Sequence, residues 1–201
     1  MNTATAPAPD VLAIEAVPFS VEDHLHGTVE LLMRLRATDA VYPPADAGHT
    51  PEGLTLWLLD GIGAGHWVTV VDGAVTGHIG LTAPGPQMIT ALADLGHVSP
   101  ASAGVLEIGR FFTDPAYRRT GLGAELFRTA CRTAEETGHQ PALSVLAGSA
   151  GARSFCAGHG LQELGSVIGS QGRSIVFARD RAATRADRFE AMRVGLLNLL
   201  S

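Results

Sequence analysis

Val105-Leu106-Glu107-Ile108-Gly109-Arg110-Phe111-Phe112-Thr113, then Asp114-Pro115-Ala116-Tyr117, then Arg118-Arg119-Thr120-Gly121-Leu122-Gly123-Ala124, is the stretch on which the fold turns. The first nine residues read as a buried strand, and Asp114-Pro115 as a turn. Leu122, Leu126, Phe127, Ala130, Cys131 and Ala134 recur at helical spacing, so a helix spans roughly Gly121 to Thr137 and stops at Gly138. A strand, a glycine-bearing turn and a helix N-terminus make a ready anion site. The first helical turn has free N–H groups and the positive end of the dipole. Gly121 and Gly123 lack a Cβ, so an anion can come close to the backbone. Arg118 and Arg119 add donors suited to phosphate, and the chemistry suggested is capture of a pyrophosphate, with a plain turn as the simpler reading of the Gly-x-Gly pair alone. A phosphate loop of the Gly-Lys-Ser/Thr kind is excluded, because no such triplet follows. A dinucleotide fingerprint fits poorly, since its third glycine would fall on Leu126.

Outward from this stretch, 201 residues are one domain's worth of chain. Apolar residues at 46% and charged residues at 17% fit a globular protein, and 24 glycines with 11 prolines imply many turns. The net charge of −6 argues against nucleic acid as a partner. No apolar run approaches the roughly 18 residues a bilayer needs, and Met1 to Asp10 lacks a basic region and an apolar core. A cytoplasmic protein with no membrane partner is therefore expected. Cys131 and Cys156 do not make a disulfide framework, and no zinc spacing is present, so no metal is expected.

In chain order, residues 1–10 read as a disordered tail and Val11 to Phe19 as a strand. Val21 to Ala37 reads as a helix capped by Ser20, with Gly27 inside it. A loop with Tyr42-Pro43-Pro44 precedes a short helix at Gly53 to Leu59. Trp67 to Val71 and Ala74 to Thr82 form a hairpin about Asp72-Gly73. Ala83 to Ala103 is a Gly/Pro/Ser-rich insertion with a helical turn around Met88 to Leu95. After the central helix come a strand at Leu143 to Leu146, a helix at Ser149 to Ala157, an irregular strand from Gly160 to about Val167, and a last strand at Ser174 to Ala178. The hairpin implies antiparallel pairing and the β-α-β unit parallel pairing. The fold class expected is α/β: one domain over about residues 11–180, with a mixed central sheet of six or seven strands flanked by helices. Residues 181–201 carry an apolar stripe (Phe189, Met192, Leu196, Leu197, Leu199, Leu200) and read as an added amphipathic helix. It docks on its own domain or on a second copy, which would make a homodimer; its polar face is wrong for a membrane.

Arg118-x-x-Gly121-x-Gly123-Ala124 after a strand ending in Thr113-Asp114-Pro115 resembles motif A of the GCN5-related N-acetyltransferases. The resemblance covers about residues 11 to 180. It implies an acyltransferase in which a primary amine, on a small molecule or a protein, attacks the thioester of acetyl-CoA directly in a ternary complex. It also implies that the strand splays at a bulge, so that the backbone of Phe111, Phe112 and Thr113 pairs with the pantetheine arm. The pyrophosphate would sit on Arg118, Arg119, Thr120, Gly121, Leu122, Gly123 and Ala124. Phe111 and Phe112 have core packing as the simpler reading for at least one of them. An N–H near Phe111 or Phe112 would stabilise the oxyanion.

By the same resemblance, Glu107 stands at a position where many relatives carry a carboxylate, and it is the candidate general base. The structural alternative is an ion pair with Arg110 or Arg153. Strand alternation sets Glu107 and Gly109 on one face and Ile108 and Arg110 on the other. His78 is a second base candidate, with simple packing in its strand as the alternative. The family's second signature, Asn-x-x-Ala-x-x-Phe/Leu-Tyr, falls on Ser149-Ala150-Gly151-Ala152-Arg153-Ser154-Phe155-Cys156. Ser149 replaces the asparagine, and Cys156 replaces the tyrosine that acts as acid. Cys156 is then either a substitute acid or a small buried hydrophobe, with Ser154 and His159 as nearby donors. The missing tyrosine also motivates an alternative: a non-catalytic CoA-binding or regulatory module, as a monomer or a dimer. Acceptor choice would lie with Asp23 to Ala47 and the insertion, where Tyr42, Trp57 and Trp67 either wall the pocket or belong to the core.

Overall fold

The computed structural model describes residues 15–38, 42–43, 47–60, 63–94, 104–169 and 172–179. The expected N-terminal tail and the C-terminal helix at 181–201 lie outside the described residues. Seven strands form one sheet in the order β1-β2-β3-β4-β5-β7-β6: β1 Ala16–Pro18, β2 Gly65–Val71, β3 Ala74–Thr82, β4 Val105–Thr113, β5 Gln140–Leu146, β6 Gln162–Gly169 and β7 Gly172–Ala178. All pairings are antiparallel except β4 with β5, so the sheet is mixed as expected.

The helices are α1 Val21–Thr38, α2 Pro51–Leu59, α3 Pro86–Asp94, α4 Leu122–Glu136 and α5 Ala150–Gly158. Their ends follow local chemistry. The Asp23 N–H donates to Ser20 Oγ at 3.3 Å, and the Gly53 N–H donates to Thr50 Oγ1 at 3.2 Å. Pro51 takes a first-turn position where its missing N–H costs nothing, so α2 begins before the expected Gly53. Gly138 takes φ 81° and ends α4. Gly27 is tolerated inside α1 because the helix lies close on β3: a Cβ there would stand 3.1 Å from Val75 Cγ2.

Strand alternation divides the core. Leu126, Phe127, Ala130 and Cys131 of α4 pack on Ile79, Leu81, Leu106, Ile108, Leu143 and Val145. On the opposite face, Leu31, Leu32 and Leu35 of α1 and Leu54 and Leu58 of α2 pack on Val68, Val75 and Phe112. Met88, Ala91 and Leu92 of α3 cover Val105, Ala142 and Val176 farther along that face. Each such buried aliphatic side chain contributes about 1.5–3 kcal/mol.

Two irregularities interrupt this regular sheet around β4. Arg110 and Phe111 together oppose Ile79, between the pairs His78↔Phe112 and Gly80↔Gly109, which makes a bulge with Arg110 at φ 49°. In addition, β4 and β5 pair only at Val105, Leu106 and Glu107, and both strands then run on apart. The bulge overturns the expected alternation. Ile108 faces α4, but the extra residue carries the Arg110 side chain to the opposite face, over Trp57 of α2.

Candidate active site

Beyond Glu107 the gap between β4 and β5 opens into a cavity of about 620 Å³. Residues 108–113 of β4 and 143–146 of β5 form its two sides, with Ser149, Ala152, Phe155 and Cys156 from the α5 region. Leu35, Tyr42 and Trp57 close it on the α1–α2 side, and Arg118 also lines it. Strand geometry dictates which backbone groups meet this space. The Asp114 N–H donates to the Thr76 carbonyl at 2.8 Å, and Phe112 pairs with His78, so these residues bond toward β3. Phe111 and Thr113 lie between them in the alternation, so their N–H and C=O groups turn away from β3, toward the side β5 has left.

The glycine turn abuts the same strand. A Cβ on Gly123 would lie 3.5 Å from Phe111 Cζ and 3.6 Å from Thr113 Cγ2. Arg119 and Gly121 take left-handed conformations, φ 65° and 97°, and Gly121 occupies the N-cap position with no side-chain cap. The N–H groups of Leu122, Gly123 and Ala124 therefore have no intrahelical acceptor and no capping oxygen. Arg118, Arg119 and Thr120 are exposed, whereas Leu122 is a core side chain that offers only its N–H.

Of the residues singled out in the sequence, Phe111, Phe112, Thr113, Arg118, Ser149 and Cys156 line the cavity. Phe112 is core, 6% exposed, and Phe111 packs on Phe127 and Phe155. Tyr42 and Trp57 are pocket walls, while Trp67 packs with the α4 face. The Cys156 thiol is buried, and burial pushes it up to about 11. Glu107 is half-buried, two residues before Gly109 of the cavity wall. Its Oε2 accepts the Gly85 N–H at 2.9 Å, and burial raises its carboxyl above the ordinary range. Arg153 pairs with Glu163 at 2.9 Å, not with Glu107. Ser154 is exposed; His159 is half-buried, and its ring stacks on Phe155 at 4.1 Å.

His78 is fully buried and does not line the cavity. Its Nδ1 lies 2.8 Å from the Arg110 carbonyl, and its Nε2 lies 3.1 Å from Nδ1 of His66. A carbonyl only accepts, so His78 Nδ1 carries the proton and Nε2 is the acceptor. His66 Nδ1–H must then donate, which leaves His66 Nε2 a buried lone pair. Both rings are neutral. Burial pulls His78 down to about 3 and His66 to about 4, and the Arg110 guanidinium adds to both shifts. The relay thus ends on the bulge carbonyl and pins it.

Arg110 is the residue that the sequence reading did not place in the site. Its Nε–H donates to the Trp57 carbonyl at 2.7 Å, and its guanidinium stands 5.3 Å from the Trp57 ring centroid. Among the described residues no group of His, Cys, Asp and Glu is arranged to hold a metal, and no helix is long and apolar enough to cross a membrane.

The chain matches the model of a known family, described as "Acetyltransferase (GNAT) family", over residues 30–161. No curated protein sequence matches it. Among solved structures it is similar to an acetyltransferase from Streptococcus agalactiae, at 16% identity and TM-score 0.60, covering 84% of this chain and 98% of that one. It is also similar to the ribosomal-protein-S18-alanine N-acetyltransferase from Escherichia coli, at 16% identity and TM-score 0.57, over 83% and 92% of the two chains. A third is the PaiA N-acetyltransferase from Thermoplasma acidophilum in complex with coenzyme A, at 16% identity and TM-score 0.57, over 84% and 99%. At such identities the likeness is one of fold.

Proposed function

The chain belongs to the acetyltransferase (GNAT) family, and on that premise we propose that it moves an acetyl group from acetyl-CoA to a primary amine within a ternary complex. The observation that carries this reading is the parting of β4 from β5 after Glu107, beside a helix N-terminus that lacks a cap. A pantetheine arm is an extended amide chain, and Phe111 and Thr113 receive it as an added strand. The N–H groups of Gly121 to Ala124, with Arg118 and Arg119, take the pyrophosphate. The Thermoplasma relative was solved with coenzyme A, which supports this assignment.

In the reaction the amine nitrogen bonds to the thioester carbon, the C–S bond breaks, and the sulfur leaves as a thiolate. Glu107 receives the amine's proton through water, and its burial makes it a stronger base than a solvated carboxylate. A backbone N–H at Phe111 or Thr113 holds the developing oxyanion. The thiolate takes its proton from water, with Cys156 as an apolar wall.

The test is release of CoA thiol when amines are added to the protein with acetyl-CoA. Turnover with at least one amine is expected. Gly121→Trp, which fills the turn, is expected to raise the acetyl-CoA Kd by at least about tenfold, the worth of one charge-assisted hydrogen bond. Unchanged binding would overturn the phosphate assignment. Tight acetyl-CoA binding without turnover of any amine would favour a non-catalytic CoA-binding module, the reading that the buried Cys156 at the tyrosine position favours.

A further inference from the structure

Among the described residues, Arg110 is a cation without a close anion. Its side chain is 15% exposed and lines the cavity on the side of Leu35, Tyr42 and Trp57. The guanidinium has five N–H donors in a planar fork. One donates to the Trp57 carbonyl, and neither Nη makes a hydrogen bond among the described residues. Its ion-pair partner is Asp60, 3.9 Å from Nη2 and itself 87% exposed, so that pair is long and solvated. Glu107 contributes electrostatically, but one of its oxygens is committed to the Gly85 N–H. His66 and His78 are held neutral and add no competing positive charge. A guanidinium this far from water is stable when a planar anion meets its fork. Its position is also fixed from two sides: the Trp57 carbonyl holds Nε, and His78 holds its own backbone carbonyl.

Resting on the acetyl-transfer reading, we propose that the acceptor is an amine bearing a carboxylate, a free amino acid, and that the Arg110 guanidinium binds that carboxylate. A bidentate pair would orient the amine toward the splayed strand. The nearby positive charge also favours loss of the ammonium proton, so the nucleophilic form is enriched. A bare polyamine meets the same charge as repulsion. A peptide N-terminus has an amide where the carboxylate would be.

The experiment compares each protein amino acid with its amide and its decarboxylated amine, by CoA-thiol release from the full-length protein. For the best acceptor, kcat/KM of the free acid is expected to exceed that of both counterparts by at least about tenfold. Arg110→Gln should bring the three within about threefold while leaving the acetyl-CoA Kd unchanged, a readout that also reports an intact fold. A second arm needs no turnover: N-acetyl amino acids and N-acetyl amines are titrated into the protein saturated with CoA, following tryptophan fluorescence. Wild type should bind the acid product at least about tenfold more tightly than the neutral one. Amines turned over with no preference for the carboxylate would overturn the inference and leave the transfer reading standing. Selective binding of N-acetyl amino acids without any turnover would uphold the anion site and sink the transfer reading. No preference in either arm overturns the inference whatever the variant does.

Discussion

Acidification from pH 7 to pH 5 is expected to remove about 4 kcal/mol of stability through two buried imidazoles. His78 and His66 are neutral in the folded chain, at about 3 and about 4, against about 6.5 when solvated. Between pH 6.5 and 4 the unfolded chain binds protons at these sites and the folded chain does not. Their contribution is therefore complete above pH 6.5 and falls as pH falls. At about 1.4 kcal/mol per pH unit over roughly 1.5 units, each ring accounts for about 2 kcal/mol by pH 5. The pair's share is a large part of a typical 5–15 kcal/mol, equivalent to roughly 8–16 °C in Tm. Urea denaturation followed by tryptophan fluorescence and far-UV circular dichroism, at pH 7, 6 and 5, measures the slope. The control is His66→Leu/His78→Leu. It should be less stable at pH 7 by about 1–3 kcal/mol, since the Arg110 carbonyl loses its donor. It should also lose about 4 kcal/mol less than wild type between pH 7 and 5. Equal slopes in the two proteins would refute the neutral relay.

Three further outcomes test the site and its support. Because burial raises the Glu107 carboxyl, the acid limb of kcat/KM should lie above the ordinary carboxylate range, with activity lost as pH falls through it. Glu107→Gln should abolish that limb and lower kcat by about 10²-fold or more; an unaltered profile would make Glu107 structural. The Cys156 thiol, at about 11, is roughly 2.5 units too weak an acid for a thiolate near the reference value of about 8.5, an uphill transfer of about 3.4 kcal/mol. Cys156→Ala should then lower kcat by less than about threefold, and a loss of 10²-fold would make this thiol the acid. A Cβ on Gly77 would meet Leu126 Cδ1 and Thr69 Oγ1 at 2.9 Å, so Gly77→Val should cost about 1–3 kcal/mol in thermal melts. An unshifted Tm would mean that α4 is not seated this closely on β3.

Local chemistry made part of this fold legible in the sequence. The glycine turn and α4 could be read because the cap, the dipole end and the apolar stripe lie within twenty consecutive residues. The bounds of α1, β3 and β4 came from periodicity and turn residues in the same way. The limits of β5 did not. It begins at Gln140, not Leu143, because β4 recruits Gln140 and Pro141, opposite Val105 and Leu106, into a ladder their own propensities do not suggest. The insertion was under-read too: nine residues, Pro86–Asp94, make a full helix because Met88, Ala91 and Leu92 find Val105 and Val176 to cover. The histidine relay was hidden in the register. A two-residue turn at Asp72-Gly73 without irregularity would set His66 opposite Ile79 and His78 opposite Trp67, on opposite faces. The shift between Thr69 and Val70 sets His66 opposite Gly80 and His78 opposite Val68, on one face.

The bulge at Arg110 can be weighed against the straight strand it replaces. With strict alternation, the guanidinium would enter the face where Ile108 meets Leu126, Phe127 and Ala130, an apolar layer. An unpaired buried charge costs at least several kcal/mol. A left-handed non-glycine residue costs about 1–2 kcal/mol, and the His78 hydrogen bond returns about 1 kcal/mol of that. The bulge therefore wins on energy before any ligand is considered. Its consequences are the features the site needs. Phe111 turns toward Phe127, and the guanidinium reaches Trp57. Beyond the bulge, the backbone at Phe111 and Thr113 faces the space that β5 has left. A glycine at 110 would adopt the same φ without strain but would present no cation. The arginine takes that φ and sets a guanidinium over Trp57, where the proposed carboxylate would meet it.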